Sequence, residues 1–207
     1  MSERVFFLPA SRARVTEAIR RIEAMTSAEI VVAVRRVSGH YRHADYLFGF
    51  VASMILLGVL LFHPIEFEIT TMPLQMVLVF VAASFVCAKV PPLRRLLVAK
   101  SLRRAAVVKT ARAAFVEQGI TRTRGRSGIL VFVSTFERTV EVVADIGIDP
   151  SRLGDPWKQT LQALNNALEH GVDFEAFLRA FEGLGPVLSP TLPRQEGDTN
   201  ELPDEVA

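Results

Sequence analysis

Two stretches of this sequence show no polar face at all. Residues 46–62 and 72–88 each run for 17 residues without a charged side chain, whereas a helix at the surface of a soluble domain keeps one polar side. At about 1.5 Å per residue each stretch reaches roughly 25 Å as a helix, close to the ~30 Å hydrocarbon layer of a bilayer. The pattern predicts two membrane spans, with a buried helical hairpin in a soluble core as the alternative. Gly49, Ser53 and Gly58 on the first run and Ala82, Ala83 and Ser84 on the second are small enough to let two helices approach closely in lipid.

Elsewhere the apolar positions are periodic. Val15, Ala18, Ile19, Ile22 and Met25 recur at helical spacing behind Ser11, a candidate cap. Residues 29–37, EIVVAVRRV, form a nearly continuous β-branched run, the pattern of a strand covered on both faces. After Pro91 and Pro92 a helical stretch extends over about 93–118. Its basic residues point in several directions, which suggests an interfacial first part and a second part from Ser101 that packs Ala105, Val108, Ala111 and Phe115.

GILVFVS and TVEVVA, separated by residues 135–138, predict a β-hairpin whose first strand is again buried. Asp155 and Pro156 then open a helix with a Trp157, Leu161, Leu164 and Leu168 stripe. Asp173 caps another that buries Phe174, Phe177, Leu178, Phe181 and Leu184, closed by Gly183, Gly185 and Pro186.

A buried strand, a helical crossover and a second buried strand favour a parallel pair, with the third strand antiparallel in the hairpin. The expected fold is α/β: a small mixed sheet flanked by helices and interrupted by a two-helix transmembrane hairpin. In domain terms, residues 1–43 and 91–192 form the discontinuous α/β domain, 44–90 the hairpin and 193–207 an acidic C-terminal tail.

Charge refines this picture. Between residues 89 and 126 there are eleven Lys or Arg and a single acid, Glu117, whereas residues 195–207 carry five acids and no base. Arg35, Arg36 and Arg42 precede the first span, while the 63–71 connection contains Glu66 and Glu68 and no base. This asymmetry places both termini on the cytoplasmic side of a cell membrane, as in a multi-pass protein. The basic segment suits anionic lipid headgroups; nucleic acid is not an expected partner, for lack of interleaved aromatics or a binding motif. The apolar patch before Pro9 is too short for a signal-peptide core, so no cleaved export sequence is expected. The single Cys87 lies in a span and excludes an intramolecular disulfide.

Taken in order, TSAEIVVAV, AAFVEQGI, GRSGILVFVSTFERTVEVVADIGID and the terminal NELPD resemble the TPM domain family, named from plant thylakoid, photosystem-associated and nematode membrane proteins. The likeness covers nearly the whole chain and is greatest to a bacterial branch with a transmembrane hairpin inserted after the first strand. The resemblance implies either a role in assembling or repairing membrane complexes or the acid phosphatase activity assigned to some distant relatives. Many members carry an Asp-Asn-Gly type turn before the central strand and a Gly-x-Gly type turn after the hairpin. Here those positions read Arg126-Ser127-Gly128 and Asp145-Ile146-Gly147, so a base replaces the acid that metal-assisted phosphatase chemistry would use.

The candidate chemistry is sparse. Arg122, Arg124 and Arg126, with Ser127 and neighbouring threonines, could grip a phosphate or other anion; the alternative is a solvated loop or a partner for the acidic tail. Asp145 and Asp149 could contact a cation or simply cap loops. His40, His43 and Asp45 offer metal donors at the membrane edge, although solvated histidines are commoner there. The position that a cysteine-phosphatase loop starting at Cys87 would need as Arg is Leu93, Asp145 and Asp149 are wrongly spaced for DxDx[TV], and no GxxxxGK[ST] loop occurs. No catalytic residue, metal or cofactor is assigned. The expected function is a membrane-anchored interaction or assembly module whose partners are lipid and a protein or membrane complex, with phosphatase as the alternative.

Overall fold

The computed structural model describes residues 3–64, 68–194 and 201–202. The chain folds as two compact units, Met1–Ser38 with Arg104–Ala207, and Gly39–Arg103. Residues 91–103, read from sequence as part of the domain, belong to the hairpin unit instead.

The first unit is built on a three-stranded sheet in the order β1 (Glu29–Arg35), β2 (Gly128–Ser134) and β3 (Thr139–Ala144). β1 pairs parallel with β2, from Glu29 opposite Gly128 to Arg35 opposite Ser134, and β2 pairs antiparallel with β3. The mixed α/β sheet expected from sequence is therefore the observed one. Every residue of β2 is buried, as are the first six of β1, which explains why neither strand alternates apolar with polar: both faces are covered.

One face carries Ile30, Val32, Val34, Ile129, Val131, Val133 and Val140. It packs against α1 (Pro9–Glu23), α6 (Pro150–Glu169), α7 (Phe174–Glu182) and α8 (Leu184–Leu188). The opposite face, with Val31, Ala33, Leu130 and Phe132, is covered by Val107, Ala111, Ala114 and Phe115 of α5 (Lys100–Glu117). Thus α5 is the crossover that parallel pairing requires, but its buried set includes Val107 and Ala114 in place of the expected Val108 and Ala105.

Helix boundaries depart from the sequence reading in four places. α1 starts at Pro9, which presets the first helical φ, and Ser11 is a buried position inside the helix. The 93–118 stretch is two helices, α4 (Pro91–Leu97) and α5, separated at Val98 and Ala99. α6 begins earlier than the expected Asp155 cap: Asp149 accepts from the Ser151 backbone N–H, and Gly154 at φ 64° kinks the helix before Pro156. Gly183 closes α7 as its C-cap, but Gly185 and Pro186, read with it as the helix end, lie inside α8, with Pro186 in its first turn. Asp173 does cap α7, accepting from the Ala176 N–H at 3.0 Å. A short 3₁₀ turn at the N-terminus completes the core, where Phe6 meets Phe174 and Phe177 edge to face at 5.4 and 5.0 Å.

The second unit is a helical hairpin of α2 (Arg42–Phe62) and α3 (Met72–Lys89), followed by α4. Both long helices are long and apolar enough to cross a membrane, and only 22% and 11% of their most apolar windows are buried. Soluble core helices would be mostly buried, whereas Phe62, Phe85, Leu78 and Val81 stand exposed. The two helices touch along a seam of small residues. The Ser53 hydroxyl donates to the Met76 carbonyl at 3.1 Å, and a Cβ added at Gly49 would lie 2.1 Å from Ser84 Oγ. Gly58 and Ala82, also read as contact residues, do not contribute: nothing lies within 4 Å of a Cβ at Gly58, and Ala82 is exposed. In the connection, Glu68 accepts from the Thr70 hydroxyl at 2.7 Å; Glu66 lies outside the described residues.

Candidate functional site

The two turns singled out by the resemblance meet at one end of the sheet. Strand pairing continues past the hairpin ladder: the Asp145 N–H donates to the Gly128 carbonyl at 2.9 Å and the Gly147 N–H to the Arg126 carbonyl at 3.0 Å. This register stacks the Asp145-Ile146-Gly147 turn directly on Arg126-Ser127-Gly128. Gly147 is required by that approach, because a Cβ there would stand 2.4 Å from the Gly125 carbonyl oxygen and 2.6 Å from that of Arg126.

Arg126 and Asp145, read separately as anion and cation contacts, are each other's partner. Arg126 Nε lies 3.0 Å from Asp145 Oδ2, with the carboxylate side chain 3% exposed and the guanidinium 44%. This is a close charge contact whose N–H does not point along it, since Oδ2 accepts no hydrogen bond. Oδ1 accepts from the Ile146 N–H at 2.8 Å, and Arg126 Nη1 donates to the Thr121 carbonyl at 3.0 Å. Arg126 holds φ 51°, a left-handed conformation that costs a side chain roughly 1–2 kcal/mol and is maintained by these contacts.

Most of the remaining candidates also have partners within the chain. The Ser127 hydroxyl is buried and donates to the Ser27 carbonyl at 3.1 Å, while its N–H donates to Thr123 Oγ1 at 3.1 Å. Arg124 faces Glu201, with Nε 3.6 Å from one carboxylate oxygen and the backbone N–H donating to the other at 2.8 Å. Arg122 is exposed beside Gly119. Asp149 is occupied as the α6 cap, and the Ser151 hydroxyl and N–H hold its carboxyl below the usual carboxylate range. Asp45 pairs with Arg94, whose Nε donates to Oδ1 at 2.8 Å, instead of standing free beside His40 and His43. Among the described residues no group of three His, Cys, Asp or Glu side chains is placed to hold a metal.

Truncating Arg126 should therefore be felt as a stranded buried carboxylate. Arg126→Ala is expected to lower unfolding free energy at neutral pH by about 1–3 kcal/mol. Urea titrations of the wild type and Arg126→Ala at neutral pH would measure the loss.

Sequence reasoning missed a second polar cluster, at the other end of β1 and β2. Glu137, which lies in the 135–138 turn between β2 and β3, is 3% exposed. Its Oε1 accepts from the Ser38 N–H at 2.9 Å, and its Oε2 accepts from the hydroxyl of Ser134. The Ser38 and Ser134 hydroxyls are 2.7 Å apart, and Thr110 of α5 donates to the Ser38 carbonyl at 3.1 Å. The cluster fixes the chain where the first unit's N-terminal part ends. Its sequence signal is weak: Ser134 and Thr135 are the first polar residues after the apolar run of β2. An open cleft of about 940 Å³ between α6 and α7, beside His170, Asp173 and Arg179, contains none of the candidates.

Neither family models nor curated proteins match this chain. A solved structure does. The NMR structure of the BA42 protein from the psychrophilic bacterium Bizionia argentinensis aligns with a TM-score of 0.58, covering 97% of this chain and 93% of its own. At 17% identity the likeness is one of fold.

Proposed function

We propose that the chain is a membrane-anchored, non-catalytic interaction module of the TPM domain type, its α/β unit held on the cytoplasmic side by the α2–α3 hairpin. The observation that carries this reading is the insertion of two largely exposed apolar helices between the two parallel strands of one sheet. The Lys and Arg that flank these helices and are missing from their connection support the orientation. Reporter fusions should give cytoplasmic signals at Ala207 and an external signal at Glu66. An externally active alkaline phosphatase fused at Ala207 would reverse the topology.

The turn chemistry favours a module over a phosphoryl hydrolase. Hydrolysis needs a nucleophile or activated water beside charge-stabilising groups, and here Arg126 is paired with Asp145 while the Ser127 hydroxyl is buried and engaged. A phosphatase screen of the purified chain, with and without divalent ions, decides between them. Turnover abolished by both Arg126→Ala and Asp145→Ala would establish the enzyme.

The basic 89–126 segment supports a resting position against anionic lipid, worth on the order of 1 kcal/mol per base near the surface. A domain freed of its hairpin should bind anionic vesicles over neutral ones and release as salt shortens the Debye length to about 8 Å. Equal binding to both vesicle types would leave the bases for a protein or membrane-complex partner.

A further inference from the structure

The C-terminal pair Glu201–Leu202 is seated on the first unit by four separate contacts. Glu201 presents both carboxylate oxygens to Arg124, one to its backbone N–H at 2.8 Å and one toward its guanidinium at 3.6 Å, and its side chain is only 27% exposed. The Leu202 N–H donates to Glu29 Oε2 at 3.3 Å. The Leu202 side chain packs on the apolar cluster formed by Val31, Leu130 and the buried face of α5. The receiving surface thus reads an acid, a backbone N–H and an apolar side chain at consecutive positions, which is the chemistry of a short-peptide site.

The chain itself brings the ligand close. The Ser27 N–H donates to the Leu192 carbonyl at 3.0 Å and the Thr26 hydroxyl to the same oxygen at 2.6 Å, so residue 192 already lies beside the start of β1. Glu29 sits two residues beyond Ser27 in β1. A tether this short holds the pair at an effective concentration in the millimolar range, enough to fill a site too weak to bind the same residues from free solution.

We propose that Arg124, Glu29 and the α5-side apolar recess form an acid-plus-leucine docking site, and that its occupant is the chain's own Glu201–Leu202 bound in cis. The site goes beyond the module reading and does not depend on it, because none of its contacts involves a membrane or another protein. Occupied, it neutralises Arg124 beside the Arg126–Asp145 pair and ties the C-terminal segment to the start of β1.

The test is amide hydrogen exchange on the full chain in detergent micelles, comparing the wild type with Glu201→Ala, Glu201→Gln, Leu202→Ala and a chain ending at Arg194. Exchange at Arg124 should accelerate about tenfold in Glu201→Ala and in the truncated chain, the equivalent of one charge-assisted hydrogen bond. Glu201→Gln should lie between these and the wild type, since its carboxamide oxygen can still accept from the Arg124 N–H but loses the ion pair. Leu202→Ala should also accelerate exchange at Arg124. Amides of β2 should keep wild-type protection in every variant, which separates loss of docking from loss of fold. Unchanged exchange at Arg124 in Glu201→Ala would overturn the site. Protection that declines on dilution of the wild type would assign the pair to a second copy and overturn the cis arrangement.

Discussion

A chain consisting of residues 91–207 alone should fail to fold, whereas one in which residues 39–99 are replaced by a flexible linker should unfold cooperatively. The difference is residues 1–38, which hold α1 and, as their largest single contribution to the sheet, β1. Ile30, Val31, Val32 and Val34 are between 0% and 8% exposed, and at about 1.5–3 kcal/mol for each buried side chain their loss approaches the whole 5–15 kcal/mol stability of a domain. Without β1 the central strand β2 also loses its parallel partner along the full Glu29–Gly128 to Arg35–Ser134 register, leaving backbone groups with nothing to pair with. The linker is feasible because Thr110 touches the Ser38 carbonyl, and Lys100 lies ten residues earlier on the same helix, roughly 15 Å away along its axis. About ten Gly and Ser residues have a comparable end-to-end distance. Urea titration followed by circular dichroism would compare the two chains; equal midpoints would show that residues 1–38, β1 included, contribute nothing to the fold.

The sheet was legible because its strands violate the usual alternation. The apolar runs of β1 and β2 demand cover on both faces, and only a helical crossover can supply it between parallel strands. The break between α4 and α5 was not legible to the residue, since Val98 and Ala99 carry no Gly or Pro signal. Gly185 and Pro186 misled in the opposite direction, because Pro is tolerated in the first turn of a helix.

At the site, the residues were found and their relation was not. Arg126 and Asp145 stood out individually, but their pairing follows from hairpin register: Ile129 opposite Ala144 places Gly128 opposite Asp145 and Arg126 opposite Gly147. A turn length read from sequence contains that information, provided the pairing is carried past the ends of the strands. Glu137 is different. Its partner Ser38 is 99 residues away, and no local pattern distinguishes a buried turn carboxylate from a solvated one.

Asp45→Ala should be the most damaging single substitution in the hairpin unit. Asp45 is 5% exposed in the first turn of α2 and binds Arg94 of α4 through both carboxylate oxygens. The Arg94 side chain is itself only 20% exposed, so removing the carboxylate strands a largely buried guanidinium. Breaking such a pair from one side costs about 3–5 kcal/mol, while replacing both partners with apolar residues of similar volume is often neutral or stabilising. Arg94→Met should therefore be damaging alone, because it strands Asp45, yet should restore much of the loss when combined with Asp45→Leu. Gly49→Leu supplies the contrast: its clash with Ser84 and the Phe80 backbone is steric, and no change at Arg94 should relieve it. A double-mutant cycle on Asp45 and Arg94, read by thermal unfolding in detergent micelles, should return a coupling of at least about 2 kcal/mol. Effects that add to within about 0.5 kcal/mol, the behaviour of independent sites, would mean that this pair does not hold α2 to α4.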